Sequence, residues 1–119
     1  MAYGELTHVG LSFQSETPFK GILSIAIVDL IKDKSAHGSE IHQSLKEEFQ
    51  KDTPRGIIYT ILRRMESDGL IVSNWDIQES GPARRIYRIT EEGLEYLKFS
   101  RKKLRRSRQL IMILLGENL

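Results

Sequence analysis

The residues with the clearest chemical potential are cations and hydroxyls placed along residues 53–69. Arg55, Tyr59 and Arg63 recur every four residues, so a helix over this stretch presents all three on one side. Guanidinium groups bind phosphate oxygens and guanine acceptors through paired hydrogen bonds, and a small glycine permits close approach. This face therefore predicts contact with double-stranded DNA in the major groove. The predicted contact residues on it are Thr53, Arg55, Gly56, Tyr59, Thr60, Arg63 and Arg64.

The same stretch has the local signals of a helix. Its apolar residues fall at helical spacing and predict a buried stripe on the opposite side. Thr53-Pro54 predicts an N-cap followed by proline in the first turn, and Gly69 predicts the left-handed end of the helix. A second predicted helix precedes it, with Ile41, Leu45 and Phe49 at four-residue spacing on one face and a short polar turn after it, which predicts a helix-turn-helix. The predicted buried residues are Ile57, Ile58, Ile61, Leu62 and Met65.

A β-hairpin is predicted directly after this helix. Residues 70–77 and 84–89 alternate in a strand-like pattern around a Glu-Ser-Gly-Pro turn. Arg84 and Arg85 follow the turn, where cations can reach a minor groove or the phosphate backbone. The predicted fold is therefore mainly α-helical with a small β-hairpin, a winged helix-turn-helix whose wing comprises residues 78–85.

The winged helix-turn-helix domain is predicted to span residues 17–90, after an N-terminal arm over residues 1–16. Thr17-Pro18 predicts the cap and the first turn of a helix that is apolar nearly all round as far as Ile31. A helix with no polar face is expected in the middle of a core, so this one should hold the domain together.

The last predicted element is a dimerisation helix over residues 91–119, capped by Thr90. At 1.5 Å per residue, about 28 residues span roughly 42 Å, so the helix should overhang a domain about 30 Å across. An apolar stripe at heptad spacing runs along it and predicts a homodimer interface. The alternative is that the helix folds back over its own core. The predicted interface residues are Leu94, Leu97, Leu104, Ile111, Leu114 and Leu115.

Composition excludes several classes of function. The chain of 119 residues fits one domain, and without cysteine it can hold neither disulfides nor zinc thiolates. No His/Asp/Glu cluster has ligand spacing, and His37 is expected to orient the turn before the second helix. Without a phosphate-binding glycine loop or a catalytic triad, no enzyme, metal or cofactor is predicted. The lack of a secretory signal and of a membrane-length apolar segment predicts a soluble, cytoplasmic protein.

Charge is unevenly distributed along the chain. Residues 1–54 carry a net charge of −3, whereas residues 55–119 carry +5, which suits a surface that faces a polyanion. The densest basic cluster lies in the last helix, and two roles remain open for it. It is either a solvated face outside a dimer seam, or a site of further contact with phosphate or with a partner's acidic half. The cluster comprises Lys98, Arg101, Lys102, Lys103, Arg105, Arg106 and Arg108.

Several motifs resemble those of a known family. His37-Gly38-Ser39-Glu40-Ile41 resembles a motif of PadR-type transcriptional regulators. Residues 56–66, which read GIIYTILRRME, are similar to that family's recognition-helix signature, and residues 68–71 and 81–93 resemble its following segments. The resemblance covers about residues 20–97. It implies a winged-helix homodimer that regulates transcription, usually as a repressor, in the compact branch with a single C-terminal helix.

Three positions depart from the family pattern, and two other classes of protein remain as alternatives. Ile57, Thr60 and Arg63 differ from the family's usual residues, so the resemblance implies neither an operator sequence nor a small-molecule effector. A MarR-like winged helix is disfavoured because the helix-turn-helix lies near the N-terminus and one long helix follows it. A winged helix that binds only protein is disfavoured because both the predicted recognition helix and the wing carry arginines.

Overall fold

The computed structural model describes residues 21–77 and 81–117, which form four helices and three short strands. The sheet is antiparallel in the order β1-β3-β2, and the fold is a helix-turn-helix followed by a hairpin and a long helix. This confirms the predicted winged-helix class. The elements are α1 (Ile22–Ile31), β1 (Ala36–His37), α2 (Gly38–Glu48), α3 (Arg55–Ser67), β2 (Ile71–Asp76), β3 (Arg84–Ile89) and α4 (Glu91–Leu115).

The sheet contains one strand more than the predicted hairpin. In the hairpin, Ile71 lies opposite Ile89 and Asp76 lies opposite Arg84. The additional strand β1 places Ala36 opposite Tyr87 and borders β3 on its other side. Two residues are too few to show an alternating pattern, so only pairing with β3 reveals β1.

A single core joins the helices to the sheet. The apolar α1 supplies four of its buried residues, as its lack of a polar face predicts, and the stripes of α2 and α3 supply five more. Ile57 was predicted in the α3 stripe but is 42% exposed, because it lies about 100° around the helix from Ile58. The buried apolar residues are Ala26, Ile27, Val28, Ile31, Ile41, Leu45, Ile58, Leu62, Met65, Ile71, Tyr87 and Leu97.

The helix ends match the predicted signals in part. Gly69 has a positive φ of 79° just beyond α3, as predicted, and Thr90 caps α4 by accepting a hydrogen bond from the Gly93 backbone N–H at 3.0 Å. The predicted Thr53 cap is wrong, because α3 begins one residue later and the side chain of its N-cap, Pro54, has no hydrogen-bond acceptor. The predicted Thr17-Pro18 cap and the N-terminal arm lie outside the described residues.

Helix α4 is 25 residues long, or about 38 Å, and only its first part packs on the domain. Leu97 was predicted at a dimer interface but is 3% exposed within the domain's own core, which corrects that assignment. Leu104 and Ile111 are half-buried, and Leu94, Leu114 and Leu115 are exposed. Among the described residues, no helix is long and apolar enough to cross a membrane.

Candidate nucleic-acid interface

The exposed face of α3 carries most of the residues predicted to contact DNA. Because Ile58, Leu62 and Met65 are buried, the residues on the opposite side of the helix face outward. A Cβ added to Gly56 would have no neighbouring atom within 4 Å, so this side of the helix is open to a ligand. The exposed predicted residues on α3 are Arg55, Gly56, Tyr59, Thr60, Arg63 and Arg64.

Thr53 does not belong to this exposed set. It is 7% exposed and lies in the turn before α3, where its backbone N–H donates to the Lys51 carbonyl at 3.1 Å. The pattern of a threonine before a proline suggested an accessible hydroxyl at the start of the helix. The turn instead directs Thr53 into the protein, so the prediction that it contacts DNA is withdrawn.

Local hydrogen bonds orient two polar side chains on this face. The Thr60 hydroxyl donates to the Gly56 carbonyl at 2.9 Å, which holds the side chain against its own helix. The Arg63 guanidinium donates from Nη2 to the same hydroxyl oxygen at 3.5 Å. Arg63 is thereby directed toward the N-terminal turns of α3, the part of a recognition helix that meets base edges in helix-turn-helix proteins.

Tyr59 has a packing role in addition to its partial exposure. Its ring lies against Gly38 at the start of α2, where an added Cβ would lie 2.6 Å from the phenolic oxygen and 2.7 Å from Cε1. Tyr59 is 37% exposed, so part of its side chain remains accessible. A side chain at position 38 would therefore require the Tyr59 ring to move from its place against α2.

A cleft separates α3 from the hairpin. Its volume is about 530 Å³, and it is open to solvent. Helix α3 contributes Tyr59, Arg63 and Glu66, and the hairpin faces them across the cleft. The lining residues of the hairpin include Trp75, Arg84 and Arg85. Three arginines thus surround one opening, an arrangement that attracts a phosphate backbone.

The two hairpin arginines have different surroundings. Arg85 donates from Nε to the Ser73 hydroxyl at 3.1 Å, and its guanidinium lies 4.7 Å from the centre of the Trp75 ring. Ser73 in turn donates from its backbone N–H and its hydroxyl to the Glu66 carboxylate. The Arg84 side chain is exposed, and within the described parts of the chain it makes no hydrogen bond or ion pair.

Sequence reasoning missed Glu66, Ser73 and Trp75 as members of this region. Each looked unremarkable alone, as a helix-end acid or as alternating residues of a strand. The two-residue spacing of Ser73 and Trp75 placed them on one face of the strand, which was a usable signal. Which helix that face meets depends on the fold.

His37 connects the start of α2 to the hairpin through hydrogen bonds to Glu40 and Asp76. Its Nδ1 lies 2.7 Å from Glu40 Oε1, its Nε2 lies 2.8 Å from Asp76 Oδ2, and its backbone N–H donates to Glu40 at 2.8 Å. The backbone and side-chain hydrogen bonds from His37 lower the pKa of Glu40 below its ordinary value. His37 therefore orients the turn before α2, as expected. Within residues 21–77 and 81–117, no His/Cys/Asp/Glu group could hold a metal ion.

The basic cluster of α4 lies away from the cleft on a separate element. Arg101 donates from Nη2 to Asp29 at 2.7 Å and so helps to fasten α4 to α1. The Lys103 ammonium lies 5.4 Å from the Phe99 ring centre. Arg101 thus has an internal role, whereas the other residues of the cluster are exposed on α4.

Comparison with known proteins identifies the family of this chain. Residues 27–99, more than half of the chain, match the model of the transcriptional regulator PadR-like family. The chain belongs to the PadR-like family. The proteins of this family are regulators of transcription, not enzymes. The match covers α2, α3 and the hairpin, which line the cleft, and also the first part of α4.

Relatives and solved structures agree with this assignment. The chain is 38% identical over 72 residues to the transcriptional regulator Rv3488 of Mycobacterium tuberculosis, a match that covers 60% of this chain and 65% of the relative. A PadR family transcription regulator from Clostridium difficile superimposes with a TM-score of 0.74 at 31% identity, over 81% of this chain and all of that chain. A PadR family regulator from Eggerthella lenta gives 0.73 at 27% identity, over 99% of both chains.

A further similar structure was solved with nucleic acid. PadR of Bacillus subtilis in complex with operator DNA superimposes with a TM-score of 0.60 at 25% identity. The match covers 65% of this chain and 45% of that chain, so this chain spans less than half of the length of that protein.

Proposed function

We propose that this PadR-like protein binds specific sites in double-stranded DNA as a homodimer and acts as a transcriptional repressor. Helix α3 lies in the major groove, and the hairpin contacts the backbone or the adjacent minor groove. The observation that carries this proposal is the cleft, because it brings Arg63 of α3 and Arg84 of the hairpin to one side of the molecule. The operator complex of the Bacillus subtilis relative supports the same use of the fold.

Helix α3 and the hairpin suit different kinds of contact with DNA. Arg55, Thr60 and Arg63 extend from a rigid helix, so they can be held in register with base edges. Arg84 extends from a strand beside a turn and makes no described internal bond, which suits contact with phosphate. A regulator of this kind acts where the chromosome lies, and we infer a cytoplasmic location.

Arg63→Ala tests the base-reading role. Cognate duplexes are first selected from a random pool with the wild-type protein, and affinities are measured by fluorescence anisotropy. Loss of a bidentate base contact should reduce the preference for cognate over scrambled duplex by about 1–3 kcal/mol per site. Lys46→Ala, which removes an exposed cation from α2, is the matched control and should leave the preference unchanged.

Two outcomes contradict the proposal. If Arg63→Ala weakens binding to cognate and scrambled duplex by the same factor, Arg63 binds phosphate and does not read bases. If the wild-type protein binds no duplex even at low salt, the domain is a protein-interaction winged helix, since DNA binding of this type strengthens steeply as salt is removed.

A further inference from the structure

A chain of contacts crosses from α3 to both strands of the hairpin. It begins at Glu66 in the last turn of α3, passes through Ser73 in β2 and reaches Arg85 in β3. Each oxygen of the Glu66 carboxylate lies 2.9 Å from the Ser73 hydroxyl. The Arg85 guanidinium then covers the Trp75 ring, which lies opposite it in the strand register.

We infer that Glu66, Ser73 and Arg85 form a brace that sets the position of the hairpin relative to α3. Arg85 is then a positioning residue, and Arg84 is the cation of the hairpin that contacts DNA. This inference rests on the proposed function and refines it, because adjacent arginines that look equivalent in the sequence receive different roles.

The geometry explains why Arg85 is committed to the brace. Its Nε is bonded to Ser73, and one face of its guanidinium is stacked on Trp75. To turn fully toward a phosphate, Arg85 would have to lose both contacts. The hydrogen-bonded pair of Ser73 and Glu66 would then have no arginine beside it. The Arg84 side chain loses no described contact when it turns toward DNA, so binding phosphate costs it less free energy than it would cost Arg85.

The brace matters for binding because α3 and the hairpin must meet DNA at the same time. A hairpin that swings on its two strands places Arg84 in many positions, and DNA binding must then restrict them at an entropic cost. The far end of β2 is held separately by the bond between His37 and Asp76. Loss of the brace should therefore loosen the hairpin without unfolding it.

Ser73→Ala removes the hydroxyl that joins Glu66 to Arg85 without changing any charge, and it leaves only the backbone N–H of residue 73 to bond Glu66. Trp75 is the single tryptophan of the chain, so its fluorescence reports on the hairpin directly. Without DNA, Ser73→Ala should increase the quenching of Trp75 by acrylamide. With DNA, it should weaken cognate binding by roughly three- to tenfold, the fold-change that corresponds to the net contribution of one ordinary hydrogen bond.

Two matched variants accompany it. Ser73→Thr retains the hydroxyl and should restore both the quenching and the affinity of the wild-type protein. Asn74→Ala alters the next, exposed residue of the same strand and should change neither. If Ser73→Ala leaves both the quenching and the affinity at wild-type values, or if threonine fails to rescue them, the brace does not position the hairpin.

Salt dependence distinguishes the two arginines. Each phosphate that a cation neutralises contributes about 0.9 to the slope of log K against log salt. Arg84→Ala should therefore flatten this slope, whereas Arg85→Ala should leave it near the wild-type value. If Arg84→Ala and Arg85→Ala flattened the salt slope equally, Arg85 would be a phosphate contact and its assignment as a positioning residue would be wrong. If the wild-type protein bound no DNA, the proposed function would fail, and the quenching comparison would still decide the existence of the brace.

Discussion

Two glycines show how single residues determine the distances between elements. Gly38 has no side chain, so the Tyr59 ring packs directly against the start of α2. Gly93, in the first turn of α4, approaches the Leu70 carbonyl so closely that an added Cβ would lie 2.1 Å from that oxygen and 2.7 Å from Ile89 Cγ1. The close approach at Gly93 lets α4 begin directly over the junction between α3 and the hairpin.

Gly93→Ala should therefore destabilise the protein. The clash involves a backbone oxygen, which cannot move as a flexible side chain can, so the cost should be at the upper end of the usual overpacking range of about 1–3 kcal/mol. Urea unfolding followed by circular dichroism measures this cost.

Gly56→Ala is the matched control for this change. An added Cβ at position 56 meets no atom within 4 Å, and alanine favours a helix over glycine by about 0.5–1 kcal/mol. The control should be slightly more stable than the wild-type protein. A Gly93→Ala protein as stable as the control would show that α4 does not start in close contact with Leu70.

At the scale of elements, the start of α2 is held by two hydrogen bonds between His37 and one carboxylate oxygen of Glu40. His37 precedes the helix, and the Glu40 side chain accepts from its backbone N–H while its ring bonds to the same carboxylate. These bonds lower the pKa of Glu40 from its ordinary value of 4.5. The ionised form of Glu40 therefore stabilises the folded protein.

The pH dependence follows from the direction of this shift. A carboxylate with a lowered pKa in the folded state contributes stability above its unfolded pKa, and the contribution is lost as the pH falls through the folded value. As the pH falls from about 7 to about 3, the free energy of unfolding should therefore decrease less for Glu40→Gln than for the wild-type protein. Glu48→Gln, an exposed change in the same helix, is the control and should follow the wild-type profile. Coincident profiles for all three proteins would contradict this role of Glu40.

At the scale of the whole molecule, α4 extends beyond the domain it belongs to. The molecule measures 56 × 32 × 26 Å, and Ser100 is the last buried residue of the helix. The exposed apolar residues beyond it are Leu110, Ile113, Leu114 and Leu115, with exposures of 58%, 62%, 76% and 64%. An apolar stripe left uncovered on an overhanging helix supports a dimer formed through the end of α4.

The double variant Leu114→Glu with Leu115→Glu should dissociate that dimer. Charges at positions that are buried only in the dimer disfavour association, whereas they cost little in the monomer because both residues are exposed there. Sedimentation at micromolar protein should show a dimer for the wild type and a monomer for the variant. A monomeric wild-type protein would defeat the proposal.

Leu97→Ala should have the opposite pattern of effects, on folding stability and not on dimerisation. Leu97 is buried in the domain core, so its truncation should cost about 2–5 kcal/mol of folding stability. The dimer should persist at concentrations where the variant is folded. Together the two variants separate the part of α4 that belongs to the core from the part that remains for a partner.

The features that the sequence alone determined are those produced by neighbouring residues. The buried stripe of α3 follows from helical spacing, the hairpin from a turn between alternating segments, and the ends of α3 and α4 from Gly69 and Thr90. Each of these depends on interactions over a few residues of chain. The exposure of the α3 arginines was predictable for the same reason, because burying one side of a helix exposes the other.

The tertiary structure decided which of two plausible environments a residue occupies. Thr53 is buried and Ile57 exposed because neighbouring elements cover one position and leave the other open. Leu97 satisfies the heptad pattern equally well in a core or in a dimer, and the packing of α4 on α1 places it in the core. Strand β1 and the contacts from Glu66 to Arg85 join segments that are distant in the chain. Sequence periodicity identifies the face of an element that is buried, but only the fold determines what that face meets.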